Sequence, residues 1–224
     1  MQRKYEVFHL KDDSLTKNNV YIISDIATKK ALIIDPACKI DQINEIINKY
    51  NLDLKMILLT HCHQDHIRQV DRLVSMYGVT VYVSRQEKEY YSFFCENMAT
   101  FEDEQIIYLG ETSIKCIVTP GHTAGSACFL LSKSIFTGDT IFIEGCGLCT
   151  SDGGSAEQMY NSIQRIKIYV NDNINVYPGH TYYAEPGKTI SYVKNNNIYF
   201  VIENKESFIS FRMRKQQFNL FDFK

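Results

Sequence analysis

The chain has 224 residues, enough for one large domain or one domain with a small appendage. Hydrophobic residues make up 45% of it and formal net charge is −2, which excludes disorder and gives no bulk attraction for nucleic acid or an anionic membrane. No apolar run is long enough to span a bilayer, and the first residues do not form a signal-peptide core, so the expectation is a cytoplasmic protein.

Tyr5 to Leu10, Asn19 to Ser24 and Ala31 to Asp35 read as strands, the last stopped by Pro36. Ile40, Ile43, Ile46, Ile47 and Tyr50 recur at helical spacing. Met56 to Thr60 is a buried strand, and Ile67, Val70, Leu73, Val74 and Tyr77 form a second helical stripe ending at Gly78. Val79 to Val83 is a short strand and Arg85 to Phe94 a helix. Gln105 to Leu109 and Ser113 to Thr119 are strands split by Gly110, and Ser126 to Leu131 with Ser134 to Thr137 resembles a hairpin. Ser155-Ala-Glu-Gln158 fits a capping box that opens a helix over Met159, Ile163, Ile166 and Val170. Asn175 to Tyr177 is a last short strand. Strands followed by helices in each half predict an α/β fold, two sheets packed face to face with helices outside. The expected division is a main domain over 1–194 and an aromatic, basic extension over 195–224 packed on it.

Between the strand at Met56 and the helix after it lies Thr60-His61-Cys62-His63-Gln64-Asp65-His66, with three histidines and an aspartate within six residues. Imidazole nitrogens and carboxylate oxygens are the ligands a zinc-like cation prefers. Alternation puts His61 and His63 on one side, while Asp65 and His66 address a second point. His122, Asp139 and His180 follow at later strand ends, each introduced by a glycine. His9 stands outside the pattern and is taken as a packing or surface residue. Seven cysteines is an odd number, with a single C-x-x-C pair at Cys146 and Cys149, so reduced thiols are expected rather than a disulfide framework or a zinc knuckle.

The series His61-x-His63-x-Asp65-His66, His122, Asp139, His180, with Asp35 in the Ile-Asp-Pro turn, resembles the metallo-β-lactamase fold superfamily over roughly Tyr5 to Tyr183. The resemblance implies an αββα sandwich of two mixed sheets. It implies two zinc ions, with iron or manganese as alternatives: His61, His63 and His122 would hold one, Asp65, His66 and His180 the other, and Asp139 would bridge them. A hydroxide shared by metals roughly 3.5–4 Å apart would then attack a carbonyl, with Asp65 and Asp139 as the catalytic carboxylates and Asp35 holding a loop or a ligand histidine. Aspartate at 139, where zinc β-lactamases tend to carry cysteine, favours the hydrolase branch that resembles glyoxalase II. That family places a lysine and a tyrosine where this chain has Leu148 and Thr150, and leucine cannot pair with a glutathione carboxylate.

The stretch Gly145 to Met159, with Phe211-Arg-Met-Arg-Lys215, is more similar to the zinc-dependent hydrolases of bacterial trans-acyltransferase polyketide synthase clusters. That similarity implies hydrolysis of acyl thioesters on acyl carrier proteins. Leu148, Thr150 and Tyr182, with Tyr183 nearby, are the candidate substrate-binding residues. Arg212, Arg214 and Lys215 are read either as a solvated or edge-protecting run or as a basic face for an acidic carrier protein. A glutathione thioesterase and a mononuclear iron persulfide dioxygenase remain the alternatives; no nucleic acid or membrane partner is implied.

Overall fold

Strand alternation accounts for the layering. The computed structural model describes residues 4–12 and 17–214. In β2 (Asn19–Asp25) and β3 (Lys30–Ile34), Val20, Ile22, Ala31 and Ile33 face one apolar cluster, while Tyr21, Ile23, Leu32 and Ile34 face another. Side chains at i and i+2 share a face, so a continuous apolar run with no polar side is what a strand buried on both faces requires. The first cluster lies under α1 (Ile40–Tyr50) and α3 (Val70–Tyr77), which contribute Ile43, Ile47, Leu73 and Val74. The second fills the space between two sheets, where Leu32 and Leu58 meet Ile107, Phe129 and Phe136. A third cluster covers the far side of the second sheet with Met159, Ile163 and Ile166 of α5 (Ala156–Tyr169), joined by Val193, Phe200 and Phe208. Helices, sheet, sheet, helices is the resulting order.

The first sheet runs β1 (Tyr5–Lys11), β2, β3, β4 (Asp53–Leu58), β5 (Thr80–Ser84), β6 (Met98–Phe101). Its first pairings are antiparallel and those from β3 onward parallel. The second runs β12 (Lys188–Thr189), β11 (Asn175–Pro178), β10 (Ser134–Gly138), β9 (Ala127–Leu130), β8 (Thr112–Val118), β7 (Ile106–Leu109); only β10 and β11 are parallel. Both sheets are therefore mixed, as expected. Among the described residues no helix is long and apolar enough to cross a membrane.

Local differences from the sequence reading have physical causes. The stripe expected as one helix from Ile67 to Tyr77 is two, α2 (Gln64–Ile67) and α3, parted at Gln69, whose N–H turns to Pro36 O. α4 is shorter than expected, Arg85–Tyr91, because Ser92 takes a left-handed C-cap. Strand β6 has no clear alternation and forms by pairing with β5. The last part of the described chain is helical: α6 (Ile190–Asn196), α7 (Ile198–Val201) and α8 (Lys205–Arg212). The expected division at 194/195 falls within α6, and Lys215, with the rest of the extension, lies outside the described residues.

Candidate metal centre

The candidate ligands come from loops at one end of the two sheets, following β4, β8, β10 and β11. Carboxyl ends of parallel strands open such crevices, and loops on a rigid scaffold carry the chemistry. After β4 the chain runs extended through His61, Cys62 and His63, so both rings reach the same place, 4.7 Å apart. His63 then caps α2, whose first turn carries Asp65 and His66 to the other side. Glycines fit the neighbouring turns. Gly138 has φ +48°, and a Cβ there would strike Thr60; at Gly179 the constraint is room, since a Cβ would stand 2.3 Å from Asp139 Oδ1.

Two groups of ligand atoms converge, each within 4.8 Å: His61, His63 and His122, and Asp65, His66 and His180. Asp139 lies between them. One of its oxygens is 3.5 Å from His122 Nε2 and 3.3 Å from His180 Nε2; the other is 3.6 Å from His66 Nε2. His63 Nδ1 and His122 Nε2 are 3.0 Å apart, and the Nε2 atoms of His66 and His180 are 3.3 Å apart. His61 Nε2 and Asp139 Oδ1 are buried with no hydrogen-bond partner. A buried polar atom without a partner is costly. Here the orphaned atoms are a lone-pair nitrogen and a carboxylate oxygen among like ligands, so a cation fits the donor set.

The electrostatics of the His61, His63 and His122 triad agree with that fit. Burial holds His61 well below the usual imidazole range and, with His122 adjacent, brings His63 down to about 4. Burial also outweighs Asp139 at His122. All three imidazoles are thus neutral at pH 7, the form that ligates metal. At His66 burial is more than offset by Asp139 and Asp35, which raise it. Asp139 is held well below its ordinary value because His180, His66 and His122 outweigh its burial.

Neighbouring groups aim the rings. Leu148 O lies 2.7 Å from His122 Nδ1 and fixes that imidazole with Nε2 inward. Asp35 accepts from Thr60 N–H (2.8 Å) and Thr60 Oγ1 (2.6 Å) and lies 3.0 Å from His66 Nδ1. Although Asp35, His61 and His66 also converge, both Asp35 oxygens are already engaged, so it acts as a brace. His9, bonded to Asn19 Oδ1 and stacked on Tyr21, belongs to packing. None of the seven cysteines forms a disulfide, and burial pushes the Cys146 and Cys149 thiols up.

Of the candidate substrate-binding residues, Tyr182 is half-buried beside the cluster, edge-on to Phe142 (5.1 Å) and 6.2 Å from His180. Leu148 is half-buried and meets the site through its backbone carbonyl; Thr150 and Tyr183 are exposed. Arg212 is a correction. Both readings of the basic run put it in solvent, whereas it is 4% exposed, its Nε donating to Gly147 O (2.9 Å) and its guanidinium over the Tyr199 ring. It sits on the apolar side of α8, which packs against α5, and burial there overrides the local composition.

Sequence reasoning missed the structural role of four residues that hold the site. Asn18 donates to Asp65 Oδ2 (3.1 Å). Asn197 donates to Phe142 O and Gly145 O (2.9 Å each). Arg212 grips Gly147, and Glu87 accepts from Cys62 N–H, Thr123 Oγ1 and Gly125 N–H. Two carry a local signal: Asn197 is a preferred N-cap type and caps α7, and Ser84-x-x-Glu87 has the spacing of a capping box, though the Glu87 carboxylate goes elsewhere.

Two mixed sheets between helical layers, with His/Asp ligand loops at one end, define a class, and a family model agrees. Residues 14–180 match the metallo-beta-lactamase superfamily model, and the chain belongs to that superfamily. The chain is 47% identical over 207 residues to a probable polyketide biosynthesis zinc-dependent hydrolase, PksB, of Bacillus subtilis strain 168, covering 92% of each chain. It is 45% identical to the like-named BaeB of Bacillus velezensis over the full length of both. A hydroxyacylglutathione hydrolase of Pelagibacter ubique is 34% identical over 78% of this chain and 71% of its own. Among solved structures, ETHE1 from Myxococcus xanthus superposes with a TM-score of 0.83 at 29% identity, covering 92% of this chain and 89% of that one.

Proposed function

We propose that this protein is a zinc-dependent hydrolase of polyketide biosynthesis that cleaves acyl thioesters on an acyl carrier protein, using two metal ions. The observation that carries the reading is the placement of Asp139 between two three-ligand groups. The likeness to two polyketide zinc-dependent hydrolases over nearly the whole chain supports the substrate class. His61, His63 and His122 would hold one ion and Asp65, His66 and His180 the other, with Asp139 touching both. Zinc bound there supplies a water of lowered pKa as nucleophile and a Lewis acid for the carbonyl.

The chain's own residues do the rest. The side chain of Asp65 is 28% exposed against 9% for Asp139, so Asp65 is the carboxylate that can orient the attacking water and exchange its proton. Asn18 fixes its carboxylate by donating to Oδ2. Phe142 and Tyr182 wall the His180 side and give the acyl group an apolar surface. The C–S bond breaks as the C–O bond forms, releasing a carboxylic acid and the carrier thiol. No Ser or Cys nucleophile is needed, in keeping with the raised thiols of Cys62 and Cys146. Free cysteines fit a reducing, cytoplasmic setting.

Metal analysis and one paired assay test the reading. The same acyl group is presented on a carrier-protein arm and on glutathione to protein reloaded with zinc. The expected result is two zinc ions per chain and kcat/KM at least about tenfold higher on the carrier protein. Comparable turnover of the glutathione thioester would sink the carrier-protein assignment. One iron per chain with oxygen consumption would overturn the hydrolase.

A further inference from the structure

Glu87 lies in the first turn of α4 and is 1% exposed. Its Oε1 accepts from Cys62 N–H (2.9 Å), the amide between His61 and His63. Its Oε2 accepts from Thr123 Oγ1 (2.8 Å), the residue after His122, and from Gly125 N–H (2.8 Å). One carboxylate therefore ties together the two loops that supply His61, His63 and His122. Ser84, the N-cap of the same helix, donates to Gly125 O (2.6 Å) and accepts from Glu87 N–H (3.0 Å). A Cβ on Gly125 would stand 2.1 Å from Glu87 N, so the loop rests directly on the helix turn.

All three of these donors are neutral. A buried carboxylate satisfied by neutral donors is a costly way to join two loops when an apolar contact would serve. A cation in the neighbouring histidine triad would offset that cost by bringing a positive charge next to the two loops this carboxylate joins, and the fixed amides keep three rings aimed at one point before the ion arrives. Groups that orient ligands from behind govern metal affinity nearly as strongly as the ligands.

We propose that Glu87 is a positioning residue that sets the affinity of the His61–His63–His122 triad for its metal ion. The inference rests on the reading that this triad holds an ion. In Glu87→Gln the new NH2 group must face at least one of the three donors, so a hydrogen bond is lost and two donors oppose each other, at unchanged size.

Zinc affinity is measured by competition with a chromophoric chelator, with His63→Ala and His180→Ala identifying which binding step belongs to which triad. Glu87→Gln is expected to weaken the step lost in His63→Ala by about 10- to 100-fold and to leave the step lost in His180→Ala within a few-fold. A merely structural role would lower the unfolding midpoint of the metal-free protein and leave the His63-dependent step in place; that result, or equal weakening of both steps, overturns the proposal. Should Glu87→Gln fail to fold, Thr123→Val removes one donor only, and the same step should weaken several-fold; no change there is equally fatal. If the wild-type chain shows no step that His63→Ala removes, the triad reading falls and the proposal with it, whereas an intact two-step pattern unmoved by Glu87→Gln rejects the proposal alone.

Discussion

Asp35 occupies a left-handed backbone conformation, φ +49°, at the end of β3, which aspartate tolerates better than most residues. From there it accepts two hydrogen bonds from Thr60 and meets His66 Nδ1, so one carboxylate fixes both the entry to the His61 loop and the ring of His66. In Asp35→Asn one oxygen becomes a donor, which must oppose either Thr60 or the His66 N–H. The expected outcome is about 10- to 100-fold weaker zinc binding at the Asp65–His66–His180 group. Chelator competition measures it, and unchanged affinity would mean that His66 is aimed by its other contacts.

The helices α6 to α8 act on the site through two side chains. Asn197, between α6 and α7, holds the carbonyls of Phe142 and Gly145; Arg212, at the end of α8, holds that of Gly147. Between them the loop from Phe142 to Cys149 is pinned, and its Leu148 carbonyl fixes His122. These helices thus clamp the loop whose Leu148 carbonyl orients His122. Arg212→Met keeps the apolar stem but leaves Gly147 O without its charged donor. About 2 kcal/mol of stability should be lost, together with weaker zinc retention. Chemical denaturation and metal analysis read the two effects; a variant as stable as the wild type would show that the loop is held elsewhere.

At the scale of the molecule, Asp25 joins the two sheets. Its carboxylate accepts from Thr28 N–H and Oγ1 within its own turn, and from Glu111 N–H and Thr112 Oγ1 at the β7–β8 turn. Burial raises its pKa, but those donors outweigh burial and leave it lowered. A depressed carboxylate contributes stability that is fully present above its unfolded pKa of about 3.9 and is lost as pH falls through the folded value. Asp25→Asn should therefore cost stability at pH 7 and flatten the loss of stability below about pH 4. Urea unfolding of the metal-free protein between pH 7 and 3 tests this, and parallel pH profiles for the two proteins would refute it.

Local chemistry was enough for much of this protein. The apolar runs of β2 and β3 are buried on both faces, and strands followed by helices in each half point to two sheets with helices outside. Ser155 caps α5 and Gly78 ends α3 as their residue types require. Histidine and aspartate at strand ends announced a metal-binding chemistry because few other roles need that combination. Asp35 apart, what only the tertiary structure decided is which groups stand behind those candidate ligands. Glu87 reaches residues 25, 36 and 38 positions away, and Arg212 one 65 positions away. Contacts that distant leave no period or spacing in the sequence. The Ser84–Glu87 pair shows the reason most clearly: its spacing describes a helix cap, and its carboxylate is redirected into the site only because two loops from elsewhere in the chain fold over it.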